Sequence, residues 1–290
     1  MNKILGYIKL MRIKHYLKNC LIFIPLIFSG NFFNLEKIFL TFLGFITFVI
    51  LSSSVYCIND LKDIEDDKKH PVKKNRPIAS GQVSKRGAIG FTIILFLISI
   101  ILMIPIIKIS IVPLIIELKY FGLNIAYSCG LKKVPIVDVV ILVSGFIIRL
   151  LFGAAITSIE ISNWLYLTVM AGSFYLGFGK RRNEVIKQGD QSREVLKKYN
   201  KDFLDKFMYV CLILAITFYS LWCVDALTIE RIGNNHMIYT IPLLLIIFMK
   251  YSLNVENDSF GDPVDVILSD KILIGLVLIF GLMILGILYL

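Results

Sequence analysis

The sequence predicts an all-α, polytopic integral membrane protein. Of its 290 residues 57% are hydrophobic and only 18% are charged, with a mean hydropathy of +0.78. Apolar runs recur at or near the roughly 18–20 residues that a helix needs to cross a bilayer. A soluble domain of this size would carry more charge and would not sustain such runs. The net charge of +10 fits lysines and arginines held against anionic lipids and phosphorylated substrates, and no nucleic-acid partner is expected.

Nine apolar segments follow in order, at about 17–33, 38–60, 88–107, 109–128, 135–157, 162–179, 203–223, 236–253 and 271–290. The basic start, Lys3 to Lys18, lacks a small-residue cleavage site and reads as an interfacial amphipathic segment before the first span. An odd number of spans puts the termini on opposite sides. With the N-terminus in the cytoplasm, 26 of the 31 lysines and arginines fall inside and three (Lys37, Lys108, Arg231) fall outside. This bias predicts a cytoplasmic N-terminus and an external C-terminus in a cell inner or plasma membrane.

The two long polar loops, about 61–87 and 180–202, then both lie in the cytoplasm, four helices apart. That spacing hints at a duplicated four-helix unit. The loops are expected to cap an active site on the cytoplasmic face of a single transmembrane domain, 1–290. The five cysteines (Cys20, Cys57, Cys129, Cys211, Cys223) show no ligand spacing and read as small hydrophobes.

The chemistry concentrates where the second span ends, in Asn59-Asp60-Leu61-Lys62-Asp63-Ile64-Glu65-Asp66-Asp67. If the helix continues, Asp60, Asp63 and Asp67 stand at i, i+3 and i+7, with Asn59 four residues before Asp63, all on one face. Converging carboxylates repel unless a cation sits between them. Oxygen-only ligands favour a hard ion such as Mg²⁺, which binds few carboxylates together with substrate phosphate oxygens. The alternative is a solvated charged loop. Against it, Asn59 and Asp60 end an apolar helix, where partial burial makes carboxylates costly.

Directly after comes His70-Pro71-Val72-Lys73-Lys74-Asn75-Arg76-Pro77. The prolines stop a regular helix, so a shaped turn is expected to bring Lys73, Lys74 and Arg76 back to the carboxylates. Acids for a metal beside cations for phosphate make a diphosphate site. His70 is as readily a local hydrogen-bond partner as a catalyst.

Two charges fall inside spans. Glu117 and Arg149 lie at similar depth on neighbouring antiparallel helices, so a buried ion pair is predicted. Asp138, three turns before Arg149, lies near the cytoplasmic surface and is expected to line the pocket.

The motif NDxxDxxxD, complete at Asn59, Asp60, Asp63 and Asp67 and followed by Arg76-Pro77-Ile78-Ala79-Ser80-Gly81, resembles the UbiA superfamily of intramembrane transferases. The resemblance spans nearly the whole chain and implies a nine-helix UbiA-like bundle. The prenyltransferases of that superfamily carry a second acidic motif of DxxxD type after the sixth helix. Here the stretch reads Gly177-Phe178-Gly179-Lys180-Arg181-Arg182-Asn183-Glu184, basic where those enzymes are acidic.

That departure is similar to one branch, the decaprenyl-phosphate phosphoribosyltransferases. Further matches are Lys18-Asn19, His70-Pro71 with Lys73, Tyr127-Ser128, Leu131-Lys132, and Asp138 leading to Gly145-Phe146 and Arg149. Arg193 with Leu196 and Tyr199, and Gly261-Asp262-Pro263 running to Asp270, continue the pattern.

The branch implies Mg²⁺-dependent transfer of 5-phosphoribose from phosphoribosyl diphosphate to a polyprenyl phosphate. Asp60, Asp63 and Asp67 would be catalytic and, with Asn59, metal-binding. Lys18, Asn19, Asn59, Lys73, Arg76, Tyr127, Lys132, Asp138, Lys180 and Arg181 would bind substrate. The Lys180–Arg182 triplet could instead anchor its helix to anionic headgroups. Two rival readings remain: a prenyltransferase with an aromatic or other acceptor, and a lipid-phosphate transporter. A carrier would be expected to keep its polar site near the midplane rather than at one surface.

Overall fold

The computed structural model describes residues 3–69, 73–188, 195–257 and 261–290, and among them every regular element is helical. His70, Pro71 and Arg193, singled out by the sequence, lie outside the described residues. Six segments are long and apolar enough to cross a membrane: Leu35–Lys62, Lys85–Ile107, Val137–Thr157, Lys201–Val224, His236–Glu256 and Lys271–Tyr289. The chain folds into two compact units. One comprises Met1–Ile24, Asn34–Lys132 and Ile148–Ser158, and the other Pro25–Phe33, Lys133–Ile147 and Ile159–Leu290.

The first unit opens with α1 (Lys3–Leu10) and then a 3₁₀ stretch, Ile13–Phe23, which leads into α2 (Ile24–Phe28), whose residues from Pro25 on belong to the second unit. The sequence suggested one span over 17–33. The physical reason for the tighter winding is a spacing of three: side chains at i and i+3 eclipse in a 3₁₀ helix. Tyr16, Asn19 and Ile22 thereby face one way. Tyr16 meets Ser53 at 3.1 Å, Asn19 donates to Ser52 at 3.3 Å, and Ile22 is wholly buried.

Both serines belong to α3 (Leu35–Lys62), which Asn34 caps by accepting the Lys37 amide. At 1.5 Å per residue its 28 residues exceed the roughly 30 Å hydrocarbon thickness. The polar loop that follows is largely structured. It contains α4 (Ile64–Lys69), a 3₁₀ turn over Lys73–Asn75, and a hydrogen-bonded turn closed by Val83 N–H donating to Pro77 O.

Ser84 then caps α5 (Lys85–Ile107), whose Ile93, Leu97, Ile101 and Ile104 are exposed, a face suited to lipid. α6 (Val112–Cys129) and the second half of α7 (Val137–Thr157) complete this unit. Its core gathers Phe48, Leu51, Val55, Tyr120, Phe152 and Ile156 around Ile22.

The second unit takes the first half of α7 and then α8 (Asn163–Gln188). α8 continues eight residues past Lys180, so the start of the expected 180–202 loop is helix. α9 (Lys201–Val224), capped by Asn200, and the short α10 (Ala226–Ile232) follow. A 3₁₀ turn over His236–Thr240 leads into α11 (Ile241–Glu256). α12 (Pro263–Ser269) and α13 (Lys271–Tyr289) start on the caps Asp262 and Asp270. The core of this unit includes Tyr175, Leu204, Met208, Val255 and Leu273. All five cysteines are free; Cys57 and Cys223 are buried as expected, whereas Cys20 and Cys129 are exposed.

One close approach holds the 3₁₀ stretch in place. A Cβ on Gly153 of α7 would stand 2.1 Å from the Ile22 carbonyl oxygen, a backbone atom that no rotamer change can move. Gly153→Ala is therefore expected to destabilise the protein by about 1–3 kcal/mol. Thermal unfolding in detergent measures it, and an unchanged midpoint would contradict the packing.

Candidate active site

The helix bearing the acidic motif does not run through it unbroken. α3 ends at Lys62, Asp63 adopts φ −98° and ψ 11°, and α4 begins at Ile64. Hydrogen bonds from Asp63 N–H to Asn59 O and from Asp67 N–H to Asp63 O bridge the break. Asp60 and Asp67, seven residues apart, still reach a common partner. Arg76 Nη1 donates to Asp60 Oδ1 at 3.0 Å and to Asp67 Oδ2 at 2.8 Å. Asp63 turns elsewhere and pairs with Lys132. Asn59 Oδ1 accepts the Ser128 hydroxyl.

The expected single-face convergence of three carboxylates is thus replaced by ion pairs: Asp60 and Asp67 share Arg76, and Asp63 turns to Lys132. Among the described residues no three His, Cys, Asp or Glu side chains gather closely enough to hold a metal ion. The donor set (three carboxylates and one amide oxygen) still suits a hard divalent ion in kind. Protein cations meet its charge instead.

Burial explains the pairing. Asp60 is 3% exposed, and a carboxylate withdrawn from water is stable only with compensating charge and hydrogen bonds. Burial raises the Asp67 carboxyl above its ordinary range, opposed by the Arg76 guanidinium. The 3₁₀ turn over Lys73–Asn75 does return Arg76 to the acids, as the sequence suggested. Lys73 lies near enough to Asp67 to favour its ionised form, and Lys74 is exposed.

The sequence reading missed Arg12. Its guanidinium pairs with the same Asp60 Oδ1 that Arg76 uses, and lies 5.2 Å from the Tyr56 ring centroid. The only available signal was its place in the basic N-terminal segment. Lys18 is half-buried, and Tyr127 is half-buried one residue before Ser128.

Asn19 is not at a surface; it is wholly buried. Its Oδ1 accepts Arg149 Nε at 2.6 Å. Arg149 also donates to the Tyr120 hydroxyl at 3.1 Å and lies 5.0 Å from the ring centroids of Phe48 and Tyr120. This arrangement overturns the expected Glu117–Arg149 ion pair. Both Glu117 carboxylate oxygens are buried without a hydrogen-bond partner. Matching depth is not enough: Tyr120, three residues on from Glu117, is the α6 side chain that meets the guanidinium.

The second unit holds its own polar cluster. Asp138 is wholly buried, with Arg181 Nε 2.7 Å from its Oδ2. The Nε–H does not point at that oxygen, so the contact is an ion pair without a hydrogen bond. Tyr199 O–H donates to Asp138 Oδ1 at 2.6 Å and accepts from Ile136 N–H. That acceptance helps hold Ile136 at φ 68°, strained for a β-branched residue. Burial first, and then the Asp138 contact, push the Tyr199 hydroxyl up to about 12. Asp138 therefore sits inside a buried network rather than at a pocket surface.

Lys180 bonds Asp262 Oδ2 at 3.1 Å, Arg181 also pairs with Glu184, and Arg182 pairs with Asp205. Arg181 and Arg182 are 1% and 6% exposed, which rules out headgroup anchoring by either. Gly261 approaches so closely that an added Cβ would lie 3.1 Å from the Lys180 Cα, and its φ of +75° itself favours glycine. This places Asp262 beside Lys180.

A decaprenyl-phosphate phosphoribosyltransferase of Corynebacterium glutamicum is 30% identical over 275 residues, 92% of this chain and 82% of that one. The Mycobacterium tuberculosis protein of the same name is 28% identical over 285 residues, 94% and 90% of the two chains. Among solved structures, a UbiA homolog from Archaeoglobus fulgidus bound to GPP and Mg²⁺ superposes with a TM-score of 0.69. It is 18% identical and covers 97% of this chain and 99% of that one. The model of the UbiA prenyltransferase family matches residues 20–260. The chain is a membrane protein that belongs to the UbiA prenyltransferase family.

Proposed function

We propose that this enzyme transfers 5-phosphoribose from phosphoribosyl diphosphate to a polyprenyl, decaprenyl-like phosphate and releases pyrophosphate. The observation that carries the reading is the near full-length similarity to two proteins of that named activity. The basic start of the last two turns of α8, Lys180 to Arg182, supports it, since two phosphorylated substrates call for cations where a prenyl donor calls for a second acidic motif.

In this reading the C1–O bond to the diphosphate breaks and a bond from C1 to a phosphate oxygen of the lipid forms. A phosphate is already an anion at neutral pH, so no strong general base is needed. Catalysis then rests on positioning and on neutralising charge that develops in the transition state. Asn59, Asp60, Asp63 and Asp67 would hold Mg²⁺, which when bound neutralises the departing pyrophosphate. Lys73, Arg76 and Lys132 face the leaving group, with Lys18 and Tyr127 nearby in sequence terms to further substrate contacts. Lys180 meets an anionic substrate while Arg181 supplies buried charge behind it and fixes Asp138. Asn19 acts through Arg149 as a positioning residue.

We further infer nine membrane segments, by adding the 3₁₀–α2 stretch, α6 and α8 to the six apolar helices. The N-terminus and the acidic site would then lie on the cytoplasmic side, as the lysine and arginine bias supports. The second reading, transfer of a prenyl chain, draws on the family description alone.

Donor preference separates the two. Purified protein with a polyprenyl phosphate is expected to release pyrophosphate from phosphoribosyl diphosphate and not from a prenyl diphosphate; the reverse would overturn the proposal. Chelating divalent ions should abolish turnover and Mg²⁺ should restore it. Asp63→Asn is expected to lower kcat by about 100-fold or more. Near-normal kcat in that variant would remove Asp63 from the metal site.

A further inference from the structure

We propose that Arg12 is a built-in counter-cation that competes with a divalent metal ion for Asp60, tying metal binding to the arrival of an anionic substrate. The inference rests on the reading above, in which Asp60 holds metal. It adds a role for a residue outside the acidic motif.

The carboxylates around Asp60 are already matched by cations, with Lys73 also near enough to Asp67 to favour its ionised form. One oxygen, Oδ1, receives both Arg12 and Arg76, and Arg76 also spans to Asp67. Two carboxylates thus face two guanidiniums. A divalent ion added to this group leaves at least two positive charges uncompensated, and a diphosphate is the kind of anion that would balance them. Metal alone should therefore bind weakly, and metal with diphosphate strongly. By linkage each then strengthens the other by the same factor.

Arg12 is the member built to yield. Arg76 has a second carboxylate in Asp67, whereas among the described residues Arg12 pairs with Asp60. Its side chain is 22% exposed against 3% for Asp60, so the guanidinium has a route to water that the carboxylate lacks. Its backbone sits at φ 53° and ψ 56°, in the left-handed region that an L-residue rarely adopts. Such strain persists where surrounding contacts over-determine it. Here the Asp60 pair and the Tyr56 ring provide those contacts.

The test is equilibrium binding of Mn²⁺ to the full-length protein in detergent, by calorimetry, with and without inorganic pyrophosphate and corrected for Mn²⁺ chelated in solution. A guanidinium within a few ångströms of the metal depresses its affinity by about tenfold or more. Arg12→Gln should therefore bind Mn²⁺ about tenfold tighter than the unmutated protein when pyrophosphate is absent, and lose most of the gain from adding it. Arg12→Lys, which keeps the charge, should stay near the unmutated value. So should Lys14→Gln, which removes an exposed charge nearby.

Unchanged or weaker Mn²⁺ binding in Arg12→Gln would overturn the proposal. Should that variant fail to fold, the unmutated protein still decides. There, pyrophosphate must tighten Mn²⁺ by about tenfold or more, and independent binding of the two overturns the coupling. Asp60→Asn tests the underlying reading separately: if it binds Mn²⁺ like the unmutated protein, Asp60 is not a metal ligand, whatever Arg12 does.

Discussion

A carboxylate that is almost out of water at the end of a long apolar helix sets the terms for the first unit. A carboxylate buried there is stable only with cations close by. The chain supplies two from opposite directions in sequence, Arg12 from the N-terminal segment and Arg76 from the turn beyond α4. Each brings its own stretch of backbone to the end of α3. The same rule acts on Asp63, which draws Lys132 from beyond α6. Charge compensation at one helix end thus closes loops of 48, 16 and 69 residues.

Apolar packing alone would not give that precision. In a bilayer, lipid tails solvate an apolar helix face about as well as another helix does, so close packing and polar contacts decide which faces meet. The 3₁₀ stretch uses both devices. Tyr16 and Asn19 bond serines of α3, and the Ile22 carbonyl meets the bare Cα of Gly153. Asn19 then carries Arg149, which turns a cation deep in the unit into part of the frame. In the second unit Asp138, Arg181 and Tyr199 do the corresponding work without touching bulk water. Breaking one partner of such a buried pair costs about 3–5 kcal/mol.

Much of this was legible in the sequence. Hydropathy located the six strongest spans, and the spacing of Asn59, Asp60, Asp63 and Asp67 marked the acidic site before any coordinates. The turn expected to bring Lys73, Lys74 and Arg76 back does so for Arg76, with Lys73 near Asp67, while Lys74 is exposed. What could not be read were features decided by three-dimensional choice. A helix that breaks at Asp63 looks the same in sequence as one that does not, because neither glycine nor proline marks the position. The 3₁₀ period of Tyr16, Asn19 and Ile22 is too short a signal to stand out within an apolar run. Arg12 was one basic residue among five in its segment. Glu117 and Arg149 share a depth, but rotation about the helix axis gave Tyr120 the contact with Arg149.

The two polar clusters also differ in a way that bears on chemistry. In the first unit each acid of the motif meets a partly accessible cation, so ligands can exchange for side chains. In the second, Arg181 and Asp138 are sealed, while Lys180 with Asp262 keeps partial access. The most direct measurement is the mass of the lipid after purified protein has been incubated with phosphoribosyl diphosphate, a polyprenyl phosphate and Mg²⁺. The account predicts a lipid heavier by one phosphoribosyl group; recovery of the unmodified polyprenyl phosphate from active, folded protein would contradict it.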